Sequence, residues 1–265
     1  MKHAAQQHTG GAERPAYEET ILFGVHAIST VITHAPERVL RVLYSGARQG
    51  ARAAVLEAAE AAGCAVEQAR ERQLDHLLPD EQHQGLLAFV RPAPLAEWDD
   101  LCALAARAAE EGAPAPLLVA LDQVTDPRNF GAILRSAEAL GARGALITSN
   151  RCARPGPIAA RTSAGASELL PVAMVTNLSQ ALEEAKRAGF QVIGADMDGA
   201  PAYDLDWSPP TILVIGAEGK GLREKTRATC DHVASIPLLG HTESLNASVA
   251  AGVLLYEASK RRARP

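Results

Sequence analysis

TILVIGAEGKGLREKT, residues 211–226, is the stretch from which the rest of the chain is read. The run Ile212-Leu213-Val214-Ile215 shows no polar alternation, so it reads as a strand covered on both faces. It ends at Gly216 and opens into a loop holding Gly219, Gly221 and one carboxylate, Glu218. A glycine-rich loop at the end of a buried strand lets backbone approach a ligand closely. A helix is predicted to follow over 220–228. Strands of the same apolar kind are predicted at 117–122 (LLVALD), 144–149 (GALITS), 169–175 (LLPVAMV), 190–196 (FQVIGAD) and 232–238 (HVASIPL). Helices are predicted between or after them at 129–140, 156–166, 178–188 and 246–262. Apolar strands alternating with amphipathic helices specify the α/β class, with a parallel sheet covered on both faces. Ligands on such sheets sit beyond the carboxyl ends of the strands.

The first part of the chain alternates differently. A helix is predicted at 24–35, a strand at 39–45, and a helix at 50–63 closed by Gly63, a favoured helix terminator. A short strand (65–69), a short helix (70–77) and a closing strand (85–91) complete an α/β unit of about seventy residues over 21–92. The proline-broken stretch 93–116 reads as a linker that carries one alanine-rich helix. Residues 1–20 read as a disordered tail, and 117–265 as the second domain.

The chain has 265 residues, 47% of them hydrophobic, enough for one large or two modest cores. No apolar stretch reaches membrane-spanning length and the N-terminus lacks the apolar middle of a signal peptide, so no membrane partner and a cytoplasmic location are expected. Cys64, Cys102, Cys152 and Cys230 lie outside metal-ligand spacing, so no metal is expected. The net charge of −5 argues against a general nucleic-acid binder but leaves room for a local basic patch. The basic end Lys260-Arg261-Arg262-Arg264 suits the negative pole of the last helix.

Three segments hold residues with chemical potential. In LDQVTDPRNFGAILRSAEALGA (121–142) Asn129 reads as a helix N-cap. Ile133, Ala137 and Leu140 form that helix's apolar stripe, and Arg135 lies off it, with an ion pair to Glu138 as the plain alternative. In the loop after Gly216 the glycine order is GxxGxG, not the dinucleotide order GxGxxG, and only about 45 residues follow Gly221, too few for a dinucleotide-binding half. Lys220 is followed by Gly221, which excludes a phosphate-binding Gly-Lys-Ser/Thr loop. Glu218 at a helix start also has a plain reading, as a turn residue favoured by the dipole. In SIPLLGHTESLNASVAAG (235–252) Ser244, Asn246 and Ser248 offer polar groups at a helix entry or an ordinary capping cluster, and His241 and Glu243 are a weaker acid–base pair.

Taken together, the three segments resemble the signature motifs of the SpoU family of RNA ribose 2′-O-methyltransferases, in the SPOUT superfamily. Asp126-Pro127-Arg128-Asn129 with Arg135 is similar to the first motif, Gly216-Ala217-Glu218-Gly219 with Gly221 to the second, and Ile236-Pro237 with Ser244-Leu245-Asn246-Ala247-Ser248 to the third. Ser163-Ala164-Gly165-Ala166 also resembles family members. Gly24-Val25-His26-Ala27 and His83-Gln84-Gly85 resemble a small ribosomal-protein-like substrate-binding domain that some members carry. The resemblance runs over about 21–262, nearly the whole chain.

The resemblance implies a parallel-sheet SPOUT domain tied in a C-terminal trefoil knot, preceded by the substrate-binding domain, and a homodimer. It implies S-adenosylmethionine as methyl donor, held by backbone around Gly194, Gly216, Gly219, Ile236 and Leu245. Within the family the match points to enzymes that methylate a guanosine ribose in 23S rRNA. A ribose hydroxyl is too weak an acid to ionise unaided. The resemblance assigns Arg135 to the reacting centre, with Asn129, Glu218, Ser244 and Asn246 holding it and the ribose in line. A guanidinium is a poor base, so phosphate binding and alkoxide stabilisation suit Arg135 better. The RNA-reading candidates Arg38, Arg41, Arg48 and Arg52 suit a solvated face equally well. Rival readings are a tRNA ribose methyltransferase, an antibiotic-resistance rRNA methylase, and a non-catalytic RNA-binding assembly factor with a degenerate pocket.

Overall fold

The computed structural model describes residues 19–79 and 81–262, and of Arg261 the backbone alone. Of the tail expected over 1–20, all but Glu19 and Thr20 lie outside these residues, as does Arg264.

The N-terminal unit contains β1 (Thr20–Phe23), α1 (Val25–His34), β2 (Val39–Tyr44), α2 (Ala51–Ala61), β3 (Ala65–Gln68), α3 (Glu71–Leu77) and β4 (Leu86–Val90). Its sheet order is β1-β4-β2-β3, with β4 antiparallel to both neighbours and β2 parallel to β3. Leu22, Ile28, Val31, Val42, Leu56, Leu86 and Ala88 form its core. β1 is an element that periodicity does not reveal, because four residues are too few to show alternation.

Two helices, α4 (Trp98–Cys102) and α5 (Leu104–Glu111), fill the connecting stretch. Leu101 and Ala105 are buried against the second sheet, and Ala96 bridges to Ala173 at that sheet's edge.

The second unit runs β5 (Leu117–Asp122), α6 (Pro127–Ala139), β6 (Gly144–Thr148), α7 (Pro157–Thr162), β7 (Val172–Val175), α8 (Leu178–Arg187), β8 (Gln191–Pro201), β9 (Thr211–Gly216), α9 (Glu224–Thr229), β10 (His232–Ser235) and α10 (Ala247–Arg262). Its six strands lie in the order β10-β8-β9-β5-β6-β7, every pair parallel. The unalternating sequence of β5 is explained by its position. Leu117, Val119 and Leu121 pack under α6 and α10, while Leu118 and Ala120 pack under α8. Each such leucine contributes about 1.5–3 kcal/mol by leaving water.

Several boundaries move for local reasons. α6 starts at Pro127 rather than 129, because Asp126, not Asn129, is the N-cap and accepts from the Arg128 amide at 2.9 Å. α9 starts at Glu224 rather than 220, because Gly219 (φ +75°) and Gly221 (φ +65°) hold the preceding loop in left-handed backbone. β7 starts after Pro171, and the residues before it form a short helical turn at Ala166–Glu168. β10 stops at Ser235 rather than 238, ahead of Pro237. β8 runs on to Pro201 through a bulge: Val233 pairs with Gly194, but Ala234 pairs with Ala200.

Arg262 closes the fold. Its guanidinium donates to the Ala115 and Pro209 carbonyls and to Thr211 Oγ1, so it fastens α10 to the segments that enter β5 and β9. Burial lowers its pKa to about 10.

Candidate active site

The carboxyl ends of β5 and β9 lie side by side, with Asp122 paired in register with Gly216. From this point each chain segment delivers one side chain. α6 leaves β5 through the Asp126 cap, and because Asp126 serves as cap the Asn129 side chain is free to point elsewhere. Asn129 Nδ2 donates to Glu218 Oε2 at 2.9 Å. Asn246, at the entry to α10, donates through Nδ2 to Asn129 Oδ1 at 3.0 Å and to Glu218 Oε1 at 3.2 Å. Its Oδ1 accepts from the Ser248 amide at 2.9 Å and the Ser248 hydroxyl at 2.6 Å. The three predicted segments thus close into one hydrogen-bonded ring. An ionised carboxylate only accepts, so Glu218 dictates that both amides turn their nitrogens toward it.

The Glu218 loop is tightly built. Ala217 and Gly221 exchange backbone hydrogen bonds at 3.0 and 2.9 Å. A Cβ on Gly216 would stand 2.2 Å from the Gly221 carbonyl carbon, so only glycine fits there. A Cβ on Gly219 would meet nothing within 4 Å, which leaves that backbone open to a ligand. Beyond the loop, Arg223 donates from Nε to Asp122 Oδ1 at 2.6 Å and from its amide to Oδ2 at 3.0 Å. The Asp122 side chain is fully buried. This anchor of the loop to β5 was missed in the sequence, where Asp122 stands only as a strand end. Its signal was a charged residue closing an otherwise apolar run.

The other expected residues fall into place unevenly. Ile236 is half-buried against the core under α10, and Leu245 is exposed on the third segment. Gly194 is explained by packing: a Cβ there would meet Leu222 Cδ1 at 2.6 Å and Cys230 Sγ at 2.8 Å. Ser244 is exposed and its hydroxyl has no partner among the described residues. His241 and Glu243 are exposed on the same loop and likewise unpaired among these residues. Arg135 is also exposed, and no ion pair links it to Glu138 or to any other described residue. It lies six residues beyond Asn129, about 9 Å along α6, so it stands outside the ring. Among the described residues no group of three His, Cys, Asp or Glu side chains is placed to hold a metal ion, and no helix is long and apolar enough to cross a membrane.

A six-stranded parallel sheet that gathers a glycine loop and two asparagines at its carboxyl edge, with a small α/β unit ahead of it, defines a protein of the SPOUT type. The SpoU rRNA methylase family profile matches residues 116–256, and the RNA 2′-O ribose methyltransferase substrate-binding profile matches 21–96. The chain belongs to the SpoU methylase family. A tRNA/rRNA methyltransferase of Mycolicibacterium vanbaalenii, itself uncharacterised, is 47% identical over 201 residues, which is 76% of this chain and 63% of the relative. The chain therefore spans less than two thirds of that relative's length. The SpoU methyltransferase AviRb of Streptomyces viridochromogenes, crystallised with AdoMet, is 30% identical, with a TM-score of 0.72 over 92% of this chain and 91% of its own. An AdoMet-bound rRNA methyltransferase of Sinorhizobium meliloti shares the fold at 23% identity, with a TM-score of 0.72 over 92% of this chain and 87% of its own.

Proposed function

We propose that this chain transfers a methyl group from S-adenosylmethionine to the 2′-hydroxyl of a ribose in RNA, with a guanosine of 23S rRNA as acceptor. The proposal places it in the cytoplasm, where free thiols such as its four cysteines persist. The observation that carries the reading is the Asn129–Glu218–Asn246 ring, because it joins the three family-like segments through hydrogen bonds between polar side chains.

The residues fit the donor. Adenosine needs backbone donors and acceptors beside apolar surface. The open backbone at Gly219, the half-buried Ile236 and the exposed Leu245 supply both. When bound, S-adenosylmethionine supplies an electrophilic methyl group on a cationic sulfur. The chain's own residues do the positioning. Glu218 fixes the two amides, and Asn129, Ser244 and Asn246 offer polar groups to the ribose. Arg135 has no hydrogen-bond or ion-pair partner among the described residues and is available to bind the RNA phosphate next to the reacting ribose, where it stabilises the developing alkoxide.

Arg135 reaches that position across a dimer. Val249, Val253 and Tyr256 of α10 are about half-exposed or more, at the i, i+4, i+7 spacing of a single stripe. Gly252 in the same stretch faces Ser136, the neighbour of Arg135, at 3.5 Å from its would-be Cβ. A second copy covering the stripe brings Arg135 to the subunit boundary. The trefoil knot belongs to the same proposal. It is supported by the strand order, in which β9 inserts between β5 and β8 and β10 lies outside them. The ribosomal target is favoured by the N-terminal unit and its substrate-binding profile.

The test is transfer of labelled methyl from S-adenosylmethionine to unmodified 23S rRNA and to unmodified tRNA. One label per 23S rRNA, at a guanosine 2′-oxygen, is expected. Label in tRNA alone moves the assignment to tRNA, and donor binding without transfer to either RNA leaves the non-catalytic reading.

A further inference from the structure

The segment from Ala159 to Glu168 comprises the last part of α7 and the turn after it, and it packs against α6 of the first reacting segment. The N-terminal unit is nevertheless built onto it. Arg38, which ends the turn before β2, donates from Nη2 to Glu168 Oε2 at 2.5 Å, and from Nη1 to the Glu168 carbonyl at 3.4 Å. Only 4% of the Glu168 side chain and 12% of the Arg38 side chain is exposed. Arg161 pairs with Glu81 at 3.2 Å and lies over the Phe23 ring at 5.1 Å. Thr30 Oγ1 of α1 donates to the Ala164 carbonyl at 3.1 Å. Ala164 (φ +53°) and Gly165 (φ +93°) both adopt left-handed backbone, and a Cβ on Gly165 would stand 2.5 Å from Thr30 Cβ. Ala160 is buried within the N-terminal unit's own core.

The other side of the segment is fitted to α6 as closely. A Cβ on Gly131 would lie 2.6 Å from the Ala159 carbonyl oxygen. Gly131 sits two residues from Asn129 on the same helix. A continuous packed path thus runs from the N-terminal sheet through 159–168 to the helix that carries Asn129 and Arg135. Two units joined by a connector ordinarily move relative to one another unless their interface holds them. Here a nearly buried ion pair, which is costly to break from one side, and a backbone that only glycine fits hold them together.

We infer that the 159–168 segment locks the N-terminal unit at a set position over α6, with Arg38, Glu168 and Thr30 as positioning residues that determine which ribose reaches the site. The inference rests on the proposed RNA methylation for its substrate, but the lock itself does not. A rigid two-unit body presents RNA at one distance only, so orientation is settled before the reaction begins.

The experiment uses the full chain. Glu168→Ala removes the ion pair, and Glu168→Gln keeps an acceptor oxygen for Arg38. Thr30→Val removes the hydrogen bond from α1 to the Ala164 carbonyl while keeping a β-branched side chain, and serves if Glu168→Ala does not fold. Hydrogen exchange, the KM for 23S rRNA, kcat and donor affinity are measured on each. The expected result for Glu168→Ala or Thr30→Val is faster exchange confined to 159–168 and the facing part of α1. It also includes a KM for RNA raised at least fivefold, with kcat and donor affinity within twofold of wild type. Glu168→Gln is expected to recover at least half of the KM change on a logarithmic scale. A KM within twofold of wild type in the unlocked variants overturns the inference, as does a kcat loss equal to the KM change. If the wild type itself transfers no methyl to RNA, the proposed activity fails, and exchange alone decides the lock: acceleration confined to 159–168 and α1 upholds it, and unchanged exchange overturns it.

Discussion

Asn129 and Glu218 stand 89 positions apart in the chain, and their side chains meet at 2.9 Å. The meeting follows from strand pairing. β5 and β9 end in register at Asp122 and Gly216, so the helix that leaves one and the loop that leaves the other have to share space. Asn246 arrives from the third segment and bonds to both.

Asn129→Ala removes a donor from Glu218 and an acceptor from Asn246 at once. Turnover is expected to fall about 100-fold, the scale for a lost positioned dipole. Folding stability is expected to fall by about 1–3 kcal/mol, because two partners lose a partly buried bond. Methyl-transfer assays and urea unfolding measure the two effects. Wild-type turnover in this variant removes the ring from the mechanism.

Arg135→Ala is expected to lower turnover about 100-fold or more while S-adenosylmethionine binding by calorimetry stays unchanged. The side chain makes no hydrogen bond or ion pair with another described residue, so the melting temperature is expected to hold as well. A loss of folding stability matching the loss of turnover would show that Arg135 has a structural role instead.

Val253→Glu places a charge in the middle of the exposed α10 stripe, where the residue is 43% accessible in the single chain. A monomer is expected by sedimentation, with turnover lost and the fold retained, because an uncompensated carboxylate is not tolerated in an apolar interface. A variant that sediments as the wild type does moves the interface off this face.

Burial pushes the Cys102 and Cys152 thiols up to about 11 and the Cys230 thiol up to about 12, from an ordinary value of about 9. At pH 8 all three keep their protons in the folded chain, so iodoacetamide is expected to label them far more slowly in buffer than in urea. The folded values are raised, so the unfolded chain releases these protons first. Stability is therefore full below about pH 9 and falls as pH rises toward 11–12. Melting temperatures taken across that window, and a shallower fall in Cys230→Ala, are the measurements. Equal labelling rates with and without urea contradict the burial.

The parts of this structure that were legible in the sequence are the ones with long apolar runs or strong breakers. β5, β6, β9 and the helices α8 and α10 sit within a residue of where periodicity puts them, because a strand covered on both faces and a half-buried helix each leave a mark in hydrophobicity. β1 left none, being four residues long and defined only by its pairing with β4. The sequence places the cap at Asn129 instead of Asp126 for a similar reason. Both are good caps, and only the Glu218 carboxylate, distant in sequence, distinguishes them.

The sequence alone determined the fold class, the three segments that carry the polar groups, and the residue types in them, because those depend on local composition and spacing. The tertiary structure decided which of those groups meet. Strand order brought Asn129, Glu218 and Asn246 into one ring, turned Gly194 toward Leu222 and Cys230, left Arg135 facing outward, and joined Arg38 to Glu168. Contacts between residues far apart in the chain depend on how strands pair and helices pack, and a single sequence does not encode those distances locally.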